Sequence, residues 1–67
     1  MILKLNKKIY PENYIKKAIK DFSQLGKFKL KQDKNYFIVE VKNISKNTKK
    51  FFADEFLNYV LSLIKNG

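Results

Sequence analysis

Residues 27–42 read KFKLKQDKNYFIVEVK, two alternating runs joined by the polar turn QDKN. Phe28 and Leu30 alternate with Lys27, Lys29 and Lys31 in the first run. In the second, Phe37, Val39 and Val41 point one way and Tyr36, Ile38 and Glu40 the other. A period of two on both sides of a turn predicts a β-hairpin with one apolar face. A lone hairpin is marginal in water, so the rest of the chain must cover that face.

The flanking segments have the patterns to do so. Leu3, Leu5 and Ile9 sit at odd positions among Lys4, Asn6 and Lys8, which predicts an amino-terminal strand interrupted at Lys7. Pro11 pre-sets a helical φ for a first turn, where Glu12 complements the positive end of the helix dipole. Tyr14, Ile15, Ala18, Ile19, Phe22 and Leu25 follow at helical spacing up to Gly26, a natural stop. After the hairpin, the loop NISKNT offers Asn47 or Thr48 as the cap of a last helix. The order is β-α-β-β-α. The third strand is the most apolar and belongs in the centre, giving sheet order 1-3-2 with a right-handed crossover. The expected fold is a single α+β domain over residues 1–67, with both helices on one face. That face carries Leu3, Leu5, Ile9, Phe28, Leu30, Phe37, Val39 and Val41.

With 67 residues, a core of this kind leaves a stability margin of only a few kcal/mol. The chain has no Cys and no His, so neither a disulfide nor a structural zinc site reinforces it. Self-association is the remaining common device, and a homodimer is the expectation. Absence of Cys fits a reducing compartment. The start, MILKLNKKIY, is too short and too charged for a signal peptide, and no window nears the ~18 apolar residues of a membrane span. A soluble cytoplasmic protein with no membrane contact is expected.

Catalysis finds few candidates. Asp54 and Glu55 are adjacent, hence about 100° apart on a helix, and they suit dipole compensation better than shared chemistry. Glu12 stands four residues before Lys16, the favourable order for a helix-surface ion pair. Two glycines, Gly26 and Gly67, do not make a phosphate-cradling loop. No cofactor, no metal and no enzymatic activity are expected.

Two binding surfaces remain. The net charge of +9 attracts acidic partners, nucleic acid among them. Lys27, Lys29 and Lys31, with Tyr36, would lie on the open sheet face beside Lys4, Lys8 and Ile38, an arrangement that single-stranded nucleic-acid platforms use. All fifteen basic residues are Lys, however, and Arg, the usual bidentate phosphate ligand, is absent. A/T-rich codon usage, solubility and protection of strand edges account for the Lys better than phosphate binding does. The second surface is DEFLNYVLSLI, residues 54–64. Counted at about 100° per residue, the apolar side chains of the last helix sweep roughly 200°, from Tyr59 and Phe52 to Leu57 and Leu61. A helix lying on one sheet needs little more than ~100°. Phe51 adds an aromatic amid the polar side, near Glu55 and Ser62. An arc this wide predicts that part of the helix serves a protein or peptide partner.

The residues IYP at 9–11, then Ile15, Ala18, Phe22 and Ser23, the hairpin, and EFLNYVL at 55–61 resemble the HxsD family in order and spacing over nearly the whole chain. These are small accessory proteins of the His-Xaa-Ser system, encoded beside radical SAM maturases that modify a repeat-bearing peptide. The resemblance implies a non-catalytic adaptor in peptide modification. Its matching positions are Tyr10, Pro11, Phe22, Glu55, Phe56, Leu57 and Asn58; most have ordinary structural uses, whereas Asn58 gains nothing from helix propensity. Phe51, Glu55, Leu57, Asn58 and Leu61 are therefore the candidate partner-binding residues. Binding through the last helix and an exposed sheet edge is expected, with nucleic acid on Lys27, Lys29, Lys31 and Tyr36 as the alternative.

Overall fold

The computed structural model describes residues 1–66. Strand β1 spans Ile2–Asn6, helix α1 Glu12–Asp21, strand β2 Lys27–Gln32, strand β3 Tyr36–Lys42 and helix α2 Lys46–Asn66, with a short 3-10 turn at Ser23–Leu25. The sheet order is β1-β3-β2, and β3 runs antiparallel to both neighbours. This is the expected α+β arrangement, and the hairpin register follows from its alternation. Val39 stands between Leu3 and Leu30, Val41 faces Phe28, and Phe37 faces Leu5. A slip of one residue would turn every one of these side chains to the other face.

Both helices bury their apolar stripes on that face. Ile15 and Ala18 of α1 and Phe52, Phe56 and Val60 of α2 join Leu5, Phe37, Val39 and Val41 in the core. The spacing of four between the α2 residues stacks them along one helix flank. Phe56 is the centre of an aromatic cluster, with ring centroids 5.4 Å from Phe22, 5.4 Å from Phe52 and 6.1 Å from Phe28. Edge-to-face and offset pairs of this kind add to the area they bury.

The element ends depart from the sequence pattern in four places, each with a local cause. First, β1 ends at Asn6 and Ile9 is exposed outside it. The Asn6 side-chain oxygen accepts the Lys8 N–H at 2.8 Å, and its carbonyl accepts those of Ile9 (3.0 Å) and Tyr10 (2.9 Å), so a turn replaces the ladder. Second, Pro11 stands just before α1 in an extended conformation, φ −65° and ψ 143°, so Glu12 opens the helix. Third, α1 closes at Asp21, where Phe22 N–H bonds to Ala18 C=O and Ser23 Oγ–H to Lys20 C=O. Leu25, expected at the end of the helical stripe, lies in the 3-10 turn and is exposed. Fourth, the cap of α2 is Ser45: its hydroxyl oxygen accepts the Thr48 N–H at 3.2 Å and its carbonyl that of Lys49 at 2.8 Å. The expected caps Asn47 and Thr48 are already inside the helix. Asn43, with φ 60°, turns the chain from β3 toward that cap, a conformation Asn tolerates better than most.

Gly26 does not end α1 in the left-handed conformation of a helix stop; its backbone is extended, with φ 178°. Its role is close approach, since a Cβ there would stand 2.8 Å from the Lys42 carbonyl oxygen of β3. Gly26→Ala is therefore expected to push β2 off β3 at this end. A loss of about 1–3 kcal/mol in a denaturant titration checks it.

Candidate binding surfaces

Two surfaces stay open after the core has formed. One is a groove of about 380 Å³ between the 3-10 turn and the amino-terminal half of α2, lined by Leu25, Asn47, Thr48, Phe51 and Glu55. Its apolar side chains are Leu25, 43% exposed, and Phe51, 58% exposed. The Lys50 ammonium lies 5.6 Å from the Phe51 ring centroid. Glu55 stands one turn along from Phe51, and Asn58 continues the same exposed face.

The structure thus unites Phe51, Glu55 and Asn58 on one side of α2. It places Leu57 and Leu61 elsewhere, roughly 80–120° round the helix. The 200° arc is also narrower in effect than the sequence implies. Phe52 and Tyr59, one end of the arc, are covered: Phe22 packs on both, with centroids 5.8 Å and 5.2 Å away, and the Tyr59 hydroxyl donates to the Asp21 carboxylate. That bond, with some burial, pushes the Tyr59 hydroxyl above its ordinary pKa. At the other end Leu57 is half-buried against the core, and Leu61 alone is exposed. The chain's own core accordingly takes most of an arc that was expected to be shared.

This difference predicts a contrast between neighbouring leucines. Leu57→Asp forces a carboxylate toward the core and is expected to cost about 1–3 kcal/mol. Leu61→Asp should leave stability within about 0.5 kcal/mol of the native chain. Urea midpoints of the two variants test this; equal losses would place Leu61 in the core.

The second surface is the open sheet face. Pairing sets Ile2, Glu40 and Lys29 in one row, Lys4, Ile38 and Lys31 in the next, and Lys27 opposite Lys42. Lys27, Lys29, Lys31 and Tyr36 therefore share one face, as expected, with Tyr36 toward the hairpin end. Lys8 does not belong to it, because it lies in the turn after β1. Lys31 is ion-paired with Glu40 at 3.0 Å. The Lys31 hydrogen bond holds the Glu40 carboxyl below its usual range, helped by the charges of Lys31, Lys29 and Lys42. A depressed carboxyl stabilises the fold above its unfolded pKa and loses that contribution as pH falls through the folded value. Among the described residues Lys27, Lys29 and Lys42 have no carboxylate partner. They border a depression of about 190 Å³ together with Phe28 and Glu40. Lys42 was not among the expected residues, although its even position in β3 puts it on the same face as Glu40.

Among the described residues no group of His, Cys, Asp or Glu could hold a metal ion, and no helix is long and apolar enough to cross a membrane. The geometry defines a small α+β domain with an apolar groove on its last helix and a cationic sheet face. Compared with known proteins, the chain matches no family model, no curated protein and no solved structure.

Proposed function

We propose that this chain is a non-catalytic adaptor of the cytoplasm that binds a protein or peptide partner, in the setting that its resemblance to HxsD proteins implies, radical SAM peptide maturation. The observation that carries the proposal is the Leu25–Phe51 groove. In a chain of 67 residues whose other aromatic rings are largely gathered into the core, an aromatic ring 58% exposed beside a second exposed apolar side chain is an anchor without an intramolecular use. Glu55 and Asn58 supply polar contacts on the rim of the same face. Leu61, on a different side of α2, is the place for self-association as a homodimer.

The groove is tested by titrating the chain with the radical SAM maturase and, separately, with the repeat-bearing precursor peptide of such a system. Wild type is expected to bind one of them and Phe51→Ser to bind it at least about thirtyfold more weakly. Binding untouched by Phe51→Ser would remove the groove from the account. For the homodimer, sedimentation equilibrium of wild type should give twice the chain mass and Leu61→Asp the chain mass alone.

A further inference from the structure

The free edge of β2 borders the cationic face, and the two together select an occupant. Met1 and Val41 exchange both backbone hydrogen bonds across β1 and β3, at 2.8 and 3.0 Å. Alternation along an antiparallel pair then turns Val39 and Phe37 toward β1, and Lys42, Glu40 and Ile38 toward β2. On β2 the inward-bonding residues are consequently Lys27, Lys29 and Lys31. Phe28, Leu30 and Gln32 send their N–H and C=O groups outward from the sheet. The β1 edge offers less: only Ile2 and Lys4 are free to face out, because the Asn6 carbonyl is taken by Ile9 and Tyr10.

A strand added to β2 would lie about 4.8 Å away, its side chains alternating between the two faces. On the open face they would meet Lys27, Lys29 and Lys31, with Lys42 behind Lys27. On the helix face they would meet Phe28 and Leu30, both half-buried, so that apolar surface continues to the edge. A second copy of this chain does not fit, since β2 against β2 or β1 would set Lys near Lys, and like charges across a pair repel. Nucleic acid fits less well than peptide. Glu40 holds a carboxylate in the middle of the face, Tyr36 is the only aromatic on it among the described residues, and phosphates, which only accept, would leave the outward C=O groups of Phe28, Leu30 and Gln32 without partners.

We infer, on the footing of the adaptor role proposed above, that the β2 edge takes an extended peptide segment whose residues alternate between acidic and apolar. Its carboxylates sit over Lys27, Lys29 and Lys42, its apolar side chains extend Phe28 and Leu30, and its backbone completes a fourth strand.

The test uses the whole chain, isotope-labelled, and the capped peptide Glu-Val-Glu-Val-Glu-Val-Glu, with Gln in place of every Glu as the control. Amide shifts centred on Phe28, Leu30 and Gln32, with slowed hydrogen exchange there, are expected for the Glu peptide. The Gln peptide and the Lys29→Glu variant should each bind about tenfold or more weakly. Lys29→Gln, which keeps the strand without the reversed charge, should fall between. Equal binding of the Gln peptide would overturn the acidic assignment, and shifts confined to α2 would overturn the site. A thymidine oligonucleotide that displaces the peptide at physiological salt would overturn the choice of peptide over nucleic acid. Absence of any binding by the Glu peptide would overturn the inference and leave the Leu25–Phe51 groove to its own titration.

Discussion

Phe56→Ala is expected to leave the chain unfolded, or nearly so, at room temperature. Phe56 is fully buried and its ring meets those of Phe22, Phe28 and Phe52, so it ties α2 to β2 and to the residue that closes α1. Truncating a buried Phe costs about 3–5 kcal/mol, transfer and cavity together. A domain of this size, with no Cys to form a disulfide, has a total margin of the same order. Circular dichroism and a urea titration check the result. Phe56→Leu, which keeps most of the volume, should remain folded with a loss of about 1–2 kcal/mol. A cooperative, nearly wild-type transition for Phe56→Ala would mean that the aromatic cluster does not hold the two helices to the sheet.

Phe51→Ser should do the opposite. The neighbouring ring in sequence, Phe52, is buried, while Phe51 is 58% exposed, with the Lys50 ammonium 5.6 Å from its ring centroid. Removal of a side chain that mostly faces solvent is expected to change stability by no more than about 0.5 kcal/mol. Its effect belongs to binding. An aromatic anchor in the middle of an interface typically contributes ≥ 2 kcal/mol, which is about thirtyfold in Kd or more. Leu25→Ser should act in the same direction with a smaller loss, because it lines the other wall of the groove. If Phe51→Ser unfolds the chain, the ring is structural and the groove is not a docking site.

Much of the fold was legible because its residues obey simple periods. The alternation in residues 27–42 sets the hairpin and its faces, and the apolar content of β3 puts it in the centre. The element ends were less legible, since they depend on short polar side chains that compete with the regular ladder. Asn6 ends a strand that the apolar Ile9 extends on paper, and Ser45 caps the helix two residues ahead of Asn47 and three ahead of Thr48. The groove was half legible. Phe51 stands out as an aromatic on a polar arc, but Leu25 follows the stripe of α1, and only the early stop at Asp21 turns it outward. Phe52 and Tyr59 show the converse: a helical wheel puts them on the flank, and only tertiary packing brings Phe22 over both. For the sheet face, parity alone gives the alignment of Lys27, Lys29 and Lys31, whereas the pairing of Lys31 with Glu40, which leaves Lys27, Lys29 and Lys42 uncompensated, is a diagonal contact that needs the register.

The central claim is that the exposed side of α2 binds a partner. The most direct measurement is an amide shift map of the labelled chain during titration with the radical SAM maturase and with the repeat-bearing precursor peptide, repeated for Phe51→Ser. Shifts or broadening gathered at Leu25, Asn47, Phe51, Glu55 and Asn58 are expected with one of the two, and their loss in the folded variant. No change with either partner, or changes that persist in Phe51→Ser, would contradict the claim.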